Sequence, residues 1–143
     1  MRLRCYRAAL EESGLPWSEV PVYECQGSAK ELGYRAVEAL FRSQQQPTAI
    51  LALSDQLALG AIEWMTERQI SVPQDVSVVG FDNIPAAASA DPPLTTIHQD
   101  HAEKGRLAGR MLVSQLHEED TPSAGQLATH LVVRSSTSPN RKR

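Results

Sequence analysis

The sequence has few of the features that mark membrane, secreted or nucleic-acid-binding chains. No apolar run in its 143 residues approaches the roughly 20 needed to cross a membrane. The 14 Lys and Arg residues are outnumbered by 17 Asp and Glu residues, a balance without the basic face that nucleic acid requires. Residues 1–16 are too charged to be a secretory signal. The sequence therefore predicts a single domain that is long enough to bury a hydrophobic core. It also predicts a cytoplasmic location.

Cysteine is also scarce. Cys5 and Cys25 have neither CxxC nor metal-ligand spacing, and they fall on different predicted elements. Two cysteines in a chain of this length do not form a disulfide framework. We expect both to be buried free thiols in a reducing compartment.

The motifs of common enzyme classes are missing. The chain contains no GxGxxG, GxxxxGK[ST], GxSxG or HExxH pattern. His98 and His101, with Asp100, could be interpreted as a metal cluster, but one histidine ends a strand and the other opens a helix. Solvated histidines are the favoured interpretation. We therefore expect no catalysis, no metal and no cofactor.

What the sequence does contain is an alternation of helices and strands. Such alternation predicts an α/β fold, with helices on both faces of a mainly parallel sheet in three layers. Ser28 with Glu31, and Asp100 with Glu103, have the spacing of capping boxes. The predicted helices are 2–13, 28–43, 55–68 and 101–117, and the predicted strands are 20–25, 48–53, 76–81, 94–97 and 129–135.

The helix predicted at 55–68 is apolar over more than half of its circumference. One apolar stripe of this helix would pack against the sheet. Leu57, Leu59 and Trp64 lie outside that stripe, so they need a second packing partner. That partner is either another subunit, which is the preferred interpretation, or a neighbouring loop of the same chain.

The helix predicted at 101–117 carries Leu112 and Leu116 on the face expected to point inward. Gly105 and Gly109 lie near that face and would allow another backbone to approach closely. The pattern predicts that this helix packs tightly.

Polar residues follow three predicted strands, where the carboxyl ends of parallel strands bind ligands. They are Ser28, Ser54 with Asp55, and Asp82. Ser28 and Asp55 could also be plain helix caps, and capping is the favoured role for Asp55. Asp82 precedes no clear helix and is the best single candidate. Hydroxyl and carboxylate groups at one sheet edge suit a small polar ligand such as a sugar or a base.

One long stretch, VPQDVSVVGFDNIPAAASADPPLTTIHQ at 72–99, resembles the C-terminal signature of the lactose/galactose-repressor family of bacterial transcription regulators. RLRCYRAALEESGLP is similar to that family's RxxGYxxAL helix, and ILALSDQLALGAIEWMTERQISVPQDV to its [NS]DxxAxGA segment. LVVRSST resembles the closing strand of the family. The resemblance covers 2–137, nearly the whole chain.

The resemblance implies a two-lobed effector-binding domain of the periplasmic-binding-protein-like type I fold, here incomplete. Residues 1–83 would form the C-terminal lobe without its first strand, and 84–128 a crossover segment belonging to the N-terminal lobe. Residues 129–137 would be the return strand and 138–143 a disordered tail. Operator DNA would be bound only through an N-terminal headpiece that is absent from this chain.

The resemblance also implies ligand-binding residues. The effector-binding arginine of the family falls on Arg2, its aspartate on Asp82, and its polar sugar contact on Ser54. Gln99 matches a position that lines the cleft. Ser28 stands where the family has an aromatic ring, so a sugar or sugar derivative is expected rather than a purine.

These positions imply an effector-sensing module of a transcription regulator that forms a homodimer and does not contact membrane. Leu59 and Trp64 would lie in the dimer interface. The alternative with the same fold is a periplasmic-type sugar-binding protein of a transport system.

Overall fold

The computed structural model describes residues 2–43, 46–117 and 126–139. Helices and strands alternate through the middle of the chain, as the sequence predicted, and a single 3-10 turn at Trp17–Glu19 follows the first helix. The helices are α1 (Arg2–Glu12), α2 (Lys30–Arg42), α3 (Asp55–Glu67), α4 (Pro85–Ser89) and α5 (His101–Leu116). The strands are β1 (Ala49–Leu51), β2 (Ser77–Asp82), β3 (Thr95–Gln99) and β4 (Thr129–Val132).

The four strands form one sheet in the order β1-β2-β3-β4. β1, β2 and β3 are parallel, and β4 is antiparallel to β3. The β2–β3 register runs from Val79 opposite Thr95 to Asp82 opposite His98. This mainly parallel sheet confirms the predicted fold class and places Asp82 at the carboxyl end of a strand.

The core lies between α3 and the sheet. Val78 of β2 is fully buried, as are Ala58 and Met65 of α3, and Leu94 covers them just before β3 begins. Burying a large apolar side chain contributes about 1.5–3 kcal/mol. Burial of the apolar face of α3 against the sheet therefore stabilises the fold and holds α3 beside the strand ends.

Two glycines let α2 lie directly against α3. A Cβ atom added at Gly33 would overlap the backbone of Leu57, and one at Gly60 would overlap the carbonyl of Lys30. Each helix thus presents a glycine where the other backbone passes. The partner that Leu57 needed is α2 of the same chain.

Trp64 is also covered within the chain. Its side chain is only 6% exposed, its ring centroid lies 5.1 Å from that of Phe41, and the Arg68 guanidinium lies 4.2 Å above it. Neighbouring packing therefore accounts for Trp64, which keeps little surface for a second subunit. Leu59 is only partly buried against the core. Its place in a dimer interface stays a prediction.

The strand predicted at 20–25 and the capping box at Ser28 are both wrong. Residues 21–25 belong to no strand, and a cavity described below separates them from β1. α2 begins at Lys30 with Ala29 at the N-cap position and no side-chain cap. Gly27, at φ +129, turns the chain ahead of the helix, and Ser28 is exposed.

α5 does not pack as its sequence pattern predicts. It contains no buried residue, and Leu112 and Leu116 are 58% and 74% exposed. A Cβ atom at Gly105 or Gly109 would meet nothing within 4 Å. The cap at its start is confirmed, because Asp100 Oδ1 accepts a hydrogen bond from the backbone of the third helical residue at 2.8 Å.

β3, which lies in the segment predicted to cross between the lobes, pairs with both β2 and β4 in this sheet. The division of the chain between two lobes stays a prediction. The predicted tail is anchored at its start, where Ser138 bonds to Ser77 and to the Pro73 carbonyl. Residues 140–143 and the predicted loop at 121–125 lie outside the described residues.

Cys5 and Cys25 are free thiols, but Cys5 is exposed rather than buried. No helix in the described ranges is long and apolar enough to span a membrane.

Candidate ligand site at the strand ends

A cavity of about 1030 Å³ opens between α1, β1 and the extended segment at 20–25. Four of the five predicted site residues line it: Arg2, Ser28, Ser54 and Asp82. They come from α1, from the turn before α2 and from the carboxyl ends of β1 and β2. Polar groups that follow β1 and β2 thus line one cavity, and their role in ligand binding stays a prediction.

Arg2 is held at the rim of this cavity. Its guanidinium donates a hydrogen bond to the Leu53 carbonyl and lies 4.3 Å from the centroid of the Phe81 ring. A guanidinium over an aromatic face is attracted by the ring quadrupole. These two contacts fix the start of α1 beside the ends of β1 and β2.

Asp82 is the last residue of β2 and has an unusual backbone. Its φ of +121° lies in the left-handed region, where a residue with a side chain is strained by about 1–3 kcal/mol. Its Oδ1 accepts a hydrogen bond from Gln99 Nε2 at 2.7 Å, and its carbonyl lies 3.2 Å from His101 Nε2. Gln99 thus holds one oxygen of the Asp82 carboxylate, and the other oxygen is available to a ligand.

Gln99, the fifth predicted residue, reaches the site only through Asp82. It ends β3 and lines a separate cavity of about 410 Å³ beside α5. Lys104 and Met111 line the same second cavity. The structure thus brings Gln99 to the carboxylate of the site without placing it in the main cavity.

Ser54 has a structural role as well as a position in the cavity. It is the N-cap of α3, and its Oγ accepts a hydrogen bond from the Leu57 amide at 3.3 Å. The side chain is buried. Because a hydroxyl both accepts and donates, the Ser54 proton is still available to a ligand.

Asp55 is not the cap that the sequence favoured. It is the first residue of α3 and is fully buried. Its two carboxylate oxygens accept hydrogen bonds from Thr96 Oγ1 at 2.5 Å and from the Ile84 amide at 2.9 Å. The role of Asp55 is to join α3 to β3 and to the chain that leaves β2.

Tyr6 is a cavity residue that the sequence analysis missed. Its Oη is buried without a hydrogen-bond partner among the described residues. Burial raises the pKa of Tyr6, the Arg2 charge opposes that rise, and the Asp82 charge adds to it. The sequence spacing could have identified Tyr6 as a cavity residue, because Tyr6 lies one helical turn after Arg2 on the same face of α1.

A cluster of polar residues lies behind Asp82. Asn83 Nδ2 lies 3.0 Å from His98 Nδ1, and the His98 ring centroid lies 4.9 Å from that of His130. Arg134 is partly buried and donates to Asn83 Oδ1. The described residues contain no group of three or more side chains able to hold a metal.

Comparison with known proteins supports the same reading of the fold. Residues 1–137 match the family described as periplasmic binding protein-like domain. The repressor CytR of Escherichia coli K12 is 38% identical over 95% of this chain and 40% of its own length. The repressor PurR of Actinobacillus pleuropneumoniae is 36% identical over 94% of this chain and 41% of its own length. The chain thus spans about two fifths of these relatives.

A solved structure agrees with this match. The LacI family transcriptional regulator of Enterococcus faecium, with bound ribose, superposes with a TM-score of 0.89 at 29% identity. The match covers 98% of this chain and 52% of that one. With the family match over residues 1–137 and the mainly parallel sheet, the chain belongs to the periplasmic binding protein-like domain family, and it is similar to part of the repressors and of the LacI family regulator named above.

Proposed function

We propose that this chain is the effector-sensing and dimerisation module of a DNA-binding transcription regulator. The observation that carries the proposal is the cavity at the strand ends, where Arg2, Ser54 and Asp82 meet. A fixed cation, a fixed anion and a hydroxyl suit a small polar molecule with several hydrogen-bonding groups. The relatives named above are transcriptional repressors.

The proposed effector is a sugar or sugar derivative. Asp82 would accept hydrogen bonds from ligand hydroxyls, and Arg2 would donate to ligand oxygens. Ser28 offers no aromatic face on which a planar base could stack. The bound ribose of the Enterococcus faecium regulator supports this class of ligand.

The proposed mechanism depends on a second lobe. An effector held between two lobes favours the lobe orientation to which it binds more tightly, and that difference in affinity is what changes DNA binding. Residues 84–128 would belong to the segment that links the lobes.

The second candidate function is sugar capture for a transport system, which would use the same site. The identity of the relatives favours the regulator. An operator-binding headpiece in the complete polypeptide would support the regulator, and a secretory signal would support the transport protein. An enzymatic role has no support from the motifs of the chain.

The test is calorimetry on the complete polypeptide with ribose, then with a panel of other pentoses, hexoses and nucleosides. Asp82→Asn should weaken sugar binding by about 10- to 100-fold, because a hydrogen bond to a charged group contributes about 1.5–3 kcal/mol. Asp75→Asn is the matched control, since Asp75 is exposed and lies outside the cavity. Equal affinities for both variants would overturn the site. Binding of nucleosides but not sugars would overturn the ligand class.

A further inference from the structure

One side chain connects three separate parts of the chain behind the candidate site. The Arg134 guanidinium donates to the Leu94 carbonyl and to Asn83 Oδ1, both at 2.7 Å. Leu94 precedes β3, Asn83 follows β2, and Arg134 follows β4. One rigid fork thus joins the chain before β3 to the chain after β2.

The backbone that Arg134 holds is strained. Asp82 and Asn83 have φ values of +121° and +56°, so two consecutive residues with side chains lie in the left-handed region. Asparagine tolerates this region better than most residues, but such a pair persists only when its surroundings impose it. Those surroundings include the two hydrogen bonds of the Asn83 side chain.

Both ends of the Asn83 amide are engaged. Oδ1 accepts from Arg134, and Nδ2 lies 3.0 Å from His98 Nδ1. With its side chain fixed at both ends, Asn83 cannot rotate about its backbone without breaking one of these contacts. The peptide that joins Asn83 to Asp82 is fixed with it, which limits the positions that the Asp82 carboxylate can reach.

We propose that Arg134 is a positioning residue for Asp82. Through Asn83 it imposes the strained turn that aims the Asp82 carboxylate at Gln99 and at the cavity. This inference rests on the proposed function, in which Asp82 binds the effector. Within the described residues Arg134 forms no ion pair with a carboxylate. Its guanidinium is therefore positioned by its hydrogen bonds to two neutral oxygens.

The competing explanation is that Arg134 only fastens β4 to the chain before β3. The Leu94 contact alone would serve that purpose, and it does not involve Asp82. The two explanations differ in what happens at Gln99, whose Nε2 lies 2.7 Å from Asp82 Oδ1. The Gln99 side-chain amide therefore reports on the position of Asp82 without any ligand.

The test is NMR on this chain with the Gln99 side-chain amide assigned. Arg134→Gln should speed solvent exchange of that amide and of the backbone amides at 82–84 by tenfold or more. The amide of Val78, in the middle of β2, should keep its protection. Arg110→Gln is the control, because Arg110 is an exposed arginine paired with Glu103 on α5. Unchanged Gln99 exchange in folded Arg134→Gln would overturn the proposal.

A rescue variant separates positioning from fastening. Glycine adopts positive φ without strain, so Asn83→Gly should keep the turn without help from Arg134. Arg134→Gln should then change Gln99 exchange little when combined with Asn83→Gly, whereas Asn83→Ala alone should mimic Arg134→Gln. Equal effects of Arg134→Gln with and without Asn83→Gly would instead show simple fastening.

If Arg134→Gln does not fold, Arg134→Lys supports the same comparison, because a lysine ammonium cannot form the two-pronged contact. The measurement needs no effector. A negative NMR result would overturn the role of Arg134 and would say nothing about sugar binding at Asp82. A negative calorimetric result would overturn sugar binding, and the effect of Arg134 on Asp82 could still be measured by NMR.

Discussion

The carboxylate of Asp55 accepts a hydrogen bond from the Thr96 hydroxyl at 2.5 Å, although the two residues lie 41 apart in the chain. Both are fully buried, one at the start of α3 and the other in β3. A buried carboxylate is costly unless its oxygens are satisfied. Asp55 satisfies the condition with Thr96 and with the Ile84 amide, and so connects the helix of the core to the strand end of the site.

The first prediction follows from this pair. Asp55→Ala should lower the free energy of unfolding by about 3 kcal/mol, because it leaves the Thr96 hydroxyl and the Ile84 amide buried without an acceptor. Urea unfolding measures the loss. Asp75→Ala, which removes an exposed contact to the Ser71 amide, should cost less than about 1 kcal/mol. Comparable losses for both variants would contradict the assigned role of Asp55.

The second prediction concerns the contact between α2 and α3. Gly33→Ala should destabilise the chain by about 1–3 kcal/mol, because the new methyl group would overlap the Leu57 backbone and force the helices apart. Gly109→Ala is the control in α5, where a Cβ meets nothing. That variant should stabilise its helix by up to about 1 kcal/mol. Thermal unfolding of the two proteins should therefore shift in opposite directions.

The third prediction concerns alkaline stability. The pKa of Tyr6 is raised in the folded state by burial. The unfolded chain therefore loses this proton first, near pH 10, and stability falls as the pH rises from there through the higher pKa of the folded protein. Tyr6→Phe should remove part of that loss. Denaturant midpoints measured on either side of about pH 10 test it, with Tyr23→Phe as the control because Tyr23 is 48% exposed.

The fourth prediction concerns self-association through α3. Leu59 is partly buried at the core, so Leu59→Gln should retain the fold and shift the chain toward monomer in sedimentation velocity. Leu116→Gln on α5 should not have this effect. Circular dichroism confirms that both variants are folded. A wild-type chain that stays monomeric at high concentration would refute the predicted interface.

Local patterns predicted much of the fold. The apolar run before Asp82 predicted both ends of β2 to within one residue, because a buried parallel strand is continuously apolar. The cap at Asp100 was identified from its spacing alone. The parallel order of β1 and β2 was predicted from the alternation of helices and strands and is confirmed. Arg2, Ser54 and Asp82 line one cavity, and their role in binding a ligand stays a prediction.

Interactions between distant parts of the chain could not be predicted. Ser28 has the spacing of a capping box, but Gly27 directs the chain away before the helix starts. The amphipathic pattern of α5 says which face is apolar, not whether anything covers it. The contacts of Arg134 could not be predicted from local patterns, since its partners lie 40 and 51 residues away in the chain.

The two ends of the sheet have a consequence for handling the chain. β1 forms one end and β4 the other, and Leu51 and Leu131 on them are 44% and 53% exposed. An exposed strand edge is a template on which a neighbouring molecule can extend the sheet. Strand pairing between copies of the chain would therefore start at these two edges, and Leu131→Lys should weaken it at one of them without touching the site.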